Sequence, residues 1–136
     1  MGLKEKRAIR EFAENKYPEY QQQVLDAVGY DLEIDVNWDS LAKDTNVDQY
    51  ERAIPDVYFA PLLKVLKEVC QDDMGKEAMQ ELVKKIEIKN ENDIWSATEW
   101  VKMKGDVLVL DHETTTNSGN IDDRAYYLNE LLESNF

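Results

Sequence analysis

The chain has almost none of the residues on which reactive or cross-linked chemistry depends: one cysteine and one histidine in 136 residues. The lone Cys70 excludes an intrachain disulfide. Its place on an apolar helical stripe predicts a buried, reduced thiol. Any imidazole chemistry must run through His112. The five glycines are scattered and form neither GxGxxG nor a P-loop, so no phosphate cradle is encoded. No window has the length and apolarity of a membrane span. Near the start, Lys4, Lys6 and Arg7 are not followed by an apolar core, so no secretory signal is predicted. Lys6 stands where a myristoylation signal needs Ser or Thr. The expectation is a cytoplasmic protein without a membrane partner.

Negative charge is abundant. The net charge is −13 and the pI about 4.4, which disfavours nucleic-acid binding, since that draws its affinity from Lys and Arg on phosphates. The distribution is uneven. Residues 1–10 hold four bases against Glu5 alone, net +3, whereas 18–63 carry net −8 and 105–136 net −6. Such a field favours solubility and also suits a basic protein partner. With 43% hydrophobic residues, 136 residues suffice for one domain, residues 1–136, with its own core.

Periodicity places the elements. A helix is predicted over about 3–17, with Ile9, Phe12 and Ala13 on one face, then a break at Pro18 and a second helix closed by Gly29. Tyr30, Leu32, Ile34, Val36 and Trp38 alternate with polar residues and predict a strand over 30–38. Asn46 and Gln49 have capping-box spacing for a short helix that ends before Pro55. Pro61 opens the next helix, whose stripe is Leu62, Leu63, Leu66, Val69 and Cys70. After a break at 71–75, a helix runs to about Lys84. Strands follow at 85–90, 95–103 and 106–112, the last two joined around Lys104 and Gly105. A closing helix begins behind Asn120 as its cap. Three consecutive strands predict an α+β fold: roughly four strands, mainly antiparallel, with N-terminal, central and C-terminal helices on one face.

Chemistry-bearing patterns are few. Asp35-x-Asn37-x-Asp39 begins like a calcium loop but has Ser40 and Asn46 where Gly and Glu are required. Asp44-x-Asn46-x-Asp48 fails likewise at Gln49 and Pro55. No metal or cofactor is predicted. Asp31, Glu33 and Asp35 share a strand face and are expected to pair with lysines such as Lys89 or Lys102. In Asp111-His112-Glu113 the flanking carboxylates point away from the imidazole on a strand, so no catalytic residue is assigned.

The aromatics give the functional lead: three Trp, seven Tyr and three Phe. Trp95 and Trp100 differ by five positions, which puts them on opposite faces of a regular strand, and only one of Tyr126 and Tyr127 can face inward. Exposed aromatics mark binding surfaces. The expectation is a non-catalytic protein that binds a protein partner, a basic one, through Trp95, Trp100, His112, Tyr126 and Tyr58. The alternative is a small-molecule site, or a hydrolase or isomerase, in a cavity near His112 and Trp100.

Overall fold

The computed structural model describes residues 2–136. Its elements are α1 (Leu3–Asn15), α2 (Tyr17–Val28), β1 (Glu33–Val36), α3 (Trp38–Leu41), α4 (Tyr50–Ile54), α5 (Ala60–Val69), α6 (Asp73–Leu82), β2 (Lys85–Lys89), β3 (Val101–Lys104), β4 (Val107–Asp111) and α7 (Ile121–Asn135). A 3₁₀ turn, Val47–Gln49, precedes α4, and a π-helical turn, Pro55–Phe59, joins α4 to α5. The fold is α+β.

The sheet is mixed, in the order β1-β2-β4-β3. β1 pairs with β2 and β2 with β4 in parallel, and only the β3–β4 hairpin is antiparallel. This corrects the antiparallel expectation. The chain leaving β2 does not fold straight back. Residues 90–100 carry it to the far edge, where β3 runs before Gly105, at φ 63°, turns it into β4 beside β2. The predicted strand over 95–103 is accordingly reduced to Val101–Lys104.

Sheet parity follows the alternation. Ile34, Val36, Ile86, Ile88, Leu108, Leu110, Val101 and Met103 face the core cluster. Glu33, Asp35, Lys85, Glu87, Lys102 and Lys104 occupy the opposite parity. On that outer face Lys85 lies 3.4 Å from Glu33 and 3.6 Å from Asp35, so the strand carboxylates find Lys85 rather than Lys89 or Lys102.

The ends of β1 are set by side chains. Gly29 closes α2 at φ 74°. Tyr30 is then drawn off to donate its hydroxyl to the Val83 carbonyl at 2.7 Å. At the other end the Asn37 side chain accepts the Ser40 N–H and starts α3 at Trp38. The strand therefore spans 33–36 instead of 30–38.

Two further expectations are corrected. The helix containing Tyr50 does not stop before Pro55; a π turn absorbs the proline and the chain stays helical from Tyr50 to Val69. Asn46 and Asn120 stand at helix starts without capping through their side chains. Asn46 instead donates to the Thr115 hydroxyl at 3.2 Å.

The core is one cluster. Phe59, Leu62 and Leu66 on the long helical path meet Val24 and Val28 of α2 and Leu128 and Leu132 of α7. Phe12, Tyr17, Tyr20, Trp38 and Phe59 pack ring on ring, with centroids 5.1 to 6.3 Å apart. Cys70 is buried, and that burial raises its thiol pKa, leaving it unreactive. No described helix is long and apolar enough to cross a membrane.

Candidate functional site

The residues expected at the site separate into two groups. Trp100, Tyr58 and His112 are sealed, each fully buried. The Trp100 indole N–H donates to the Arg124 carbonyl at 3.0 Å. The Tyr58 hydroxyl donates to the His112 carbonyl at 2.5 Å, and burial drives its pKa far up. Trp100 stands edge-on to His112, with centroids 6.5 Å apart. The polar tips of Trp100 and Tyr58 are thus spent inside the protein.

His112 directly follows β4 and is fully buried, not on the surface. Its Nδ1 lies 2.7 Å from the Glu113 carbonyl, which places the proton there and leaves Nε2 a lone pair without a hydrogen-bond partner. Burial is the main cause that holds its pKa below 6.5, with the Arg124 charge adding. The Glu113 carbonyl, Asp111 and the Trp95 backbone pull the other way. Asp111 faces elsewhere, accepting the Glu91 N–H at 3.0 Å and the Asn92 amide at 2.6 Å. Neither flanking carboxylate bonds the ring. The arrangement offers no accessible base.

Trp95 and Tyr126 do reach the surface, at 63% and 58% exposure. Trp95 lies in the loop after β2, its carbonyl held by the Asn117 amide at 3.0 Å. Tyr126 packs edge-on against Tyr127, not against Trp95, so these side chains form no aromatic pair with one another.

The open apolar surface lies elsewhere. A groove of roughly 350 Å³ runs between the C-terminal end of α5, the first turns of α6 and the end of α7. Met74, 80% exposed, and Phe136, 48% exposed, supply apolar surface, with Val69 and Ala78 also lining the groove. Glu68, Asp72 and Glu133 rim it, and no lysine or arginine lines it.

Local sequence builds this groove. Asp72 accepts the Gly75 N–H at 2.8 Å and starts α6 sharply after α5. Gly75 lets the two helices meet: a Cβ there would lie 1.6 Å from the Val69 carbonyl oxygen. Met74 stands in the first turn of α6 with its side chain exposed. The negative ends of the α5 and α7 dipoles lie at the groove beside the positive end of α6, and the last turn of α7 carries no base to offset its own. The Asp72 cap is a signal for it in the sequence; the partnership of Met74 with Phe136, 62 positions away, has none.

Among the described residues no group of three or more His, Cys, Asp and Glu side chains is arranged to hold a metal ion. No protein-family model matches the chain, and no curated protein or solved structure matches it significantly.

Proposed function

We propose that this chain is a non-catalytic binding protein whose partner is a basic, amphipathic protein segment seated in the α5–α6–α7 groove. The observation that carries this reading is Met74 and Phe136 exposed within a rim of Glu68, Asp72 and Glu133 that lacks any base. An apolar floor under a single-sign rim suits a helix that lays its apolar face into the groove and its Lys or Arg along the edges. Methionine is a flexible, polarizable contact that adapts to such a face. The net charge of −13 adds long-range steering of a basic partner. The burial of His112, Tyr58 and Trp100 supports a binding rather than a catalytic role.

The test is fluorescence anisotropy with a labelled Leu/Lys amphipathic helical peptide and a scrambled peptide of equal charge. The amphipathic peptide is expected to bind at low salt, to weaken as salt rises, and to lose about tenfold in affinity with Met74→Ser or Phe136→Ser. Equal binding of both peptides, or indifference to both substitutions, overturns the reading.

A further inference from the structure

The acidic rim of the α5–α6–α7 groove is not neutralised from within the molecule. Glu68, Asp72 and Glu133 make no ion pair among the described residues. The complementary charge sits on α1. In a chain of net charge −13, residues 1–10 carry a net +3. Lys4, Lys6, Arg7 and Arg10 are all exposed. Arg10 is taken by Glu14 at 2.9 Å, but Lys4, Lys6 and Arg7 make no ion pair among the described residues. Ile9 and Phe12 turn inward, so at 100° per residue Leu3 and Arg7 share the outward side of the helix. Leu3 is 61% exposed and forms an apolar tip within the basic patch.

These bases stand at the unfavourable end of their helix. The first turn of α1 is the positive end of its dipole, Glu5 is the only acid in it, and the N-cap residue Gly2 has no side chain to cap with. The groove is the converse, with acids beside the negative ends of α5 and α7. The positive end of α6, which also lies there, is already capped by Asp72. Bringing the two surfaces together relieves like-charge crowding on both sides. They do not meet within one molecule: α1 packs on α2, α3 and α4, and none of its residues lines the groove.

We infer that the occupant of the groove is the basic outer face of α1 from a second copy of this chain. Leu3 sets against Met74 and Phe136, and Lys4, Lys6 and Arg7 run along the acidic rim. This rests on the reading of the groove as the seat of a basic segment, and it names the segment. The two surfaces differ, so the contact is heterologous, and copies join head to tail into a ring or an open chain. Copies of charge −13 repel one another at long range in very dilute salt. Salt of about 0.1 M, with a Debye length of about 10 Å, screens that repulsion and spares the close contacts.

Sedimentation velocity over a range of protein concentrations at about 0.1 M salt tests the inference. The average mass is expected to rise with concentration and to fall back toward the monomer near 1 M salt, where the Debye length is about 3 Å. Met74→Ser and the double variant Lys4→Glu/Arg7→Glu are each expected to weaken self-association about tenfold or more. The new glutamates suit the positive end of α1, so the melting temperature of the double variant should not fall. Mixed together, the two variants are expected to form a heterodimer that grows no further, because one keeps the α1 surface and the other keeps the groove. The double variant is also expected to bind the Leu/Lys peptide. A parent chain that stays monomeric, association indifferent to either variant, or a mixture without heterodimer overturns the inference. A monomeric parent that binds the peptide overturns it alone; a monomeric parent that does not bind the peptide overturns the groove reading as well.

Discussion

Arg124 Nε donates to the Val57 carbonyl at 3.0 Å, supplying the proton that the ring nitrogen of Pro61, four residues on, cannot give. Its Nη2 does the same for the Asp56 carbonyl at 3.2 Å and also bonds Ser118 at 2.8 Å, while Nη1 bonds Asn117 at 2.8 Å. The guanidinium is 1% exposed and all these partners are carbonyls. It ties the π turn, the loop before α7 and α7 itself into one unit. Arg124→Met is therefore expected to cost roughly 3 kcal/mol or more, because several buried carbonyls lose their donors. Pro61→Ala restores a backbone N–H in the same place. In a double-mutant cycle read by urea unfolding, the Arg124→Met penalty is expected to shrink in the Pro61→Ala background. Strict additivity would show that the two residues do not share this task.

His112 makes stability depend on pH in a defined window. Its folded pKa lies below the unfolded value near 6.5, so the unfolded chain takes up the proton first. Its contribution is fully present above pH 6.5 and is lost as pH falls from there toward the folded pKa. The limiting slope is about 1.4 kcal/mol per pH unit. Urea midpoints at pH 7.5, 6.5 and 5.5 are expected to fall on acidification, and His112→Gln is expected to flatten that dependence whatever its effect on overall stability. A flat profile in the parent chain contradicts the burial argument.

Gly75→Ala is expected to destabilise the protein by on the order of 3 kcal/mol. The new Cβ would meet the Val69 backbone oxygen at 1.6 Å and push α6 off α5. Gly119→Ala is the matched control, because nothing lies within 4 Å of a Cβ there and the change should fall within about 0.5 kcal/mol. Thermal denaturation of the two variants side by side separates a steric cause from a general loss of glycine.

Tryptophan emission reports the division between sealed and open aromatics. Trp100 is fully buried and Trp95 is 63% exposed. Trp95→Phe is expected to remove most of the acrylamide-quenchable emission, leaving the half-buried Trp38 as a weaker contributor and Trp100 resistant to quencher until the protein unfolds. Quenching in Trp95→Phe as strong as in the parent chain would mean that Trp100 is more open than its packing implies.

Local pattern was enough to locate most elements and the inward stripe of nearly every one, since Ile34 and Val36, Ile86 and Ile88, and Leu128 and Leu132 all pack where periodicity puts them. What escaped it depends on distant partners. Alternation alone extends β1 to Tyr30 and Trp38, because both side chains also pack against the core, although one precedes the strand and the other begins a helix. Strand order escaped for the same reason: nothing within residues 90–100 states that they skip past the place β4 will take. Pro55 reads as a helix stop and Pro61 as a helix start, whereas a π turn joins the two helices and Arg124, over sixty positions later, supplies the donor that Pro61 lacks. Trp100 and His112 lie edge-on with centroids 6.5 Å apart, and both are fully buried. The loop after β4 is held by contacts such as Asn46 to Thr115, 69 positions apart, which no local spacing reveals.

The outermost strands carry opposite signs, Glu33 and Asp35 on β1, Lys102 and Lys104 on β3. Two copies meeting by like edges repel each other, which guards against the commonest misassembly of an unfinished sheet. The acidic edge of one copy and the basic edge of the next are not so protected. Within one molecule the acids of β1 are already met by Lys85, at 3.4 Å from Glu33 and 3.6 Å from Asp35. Each edge strand is only four residues long and so offers few backbone hydrogen bonds to a second copy.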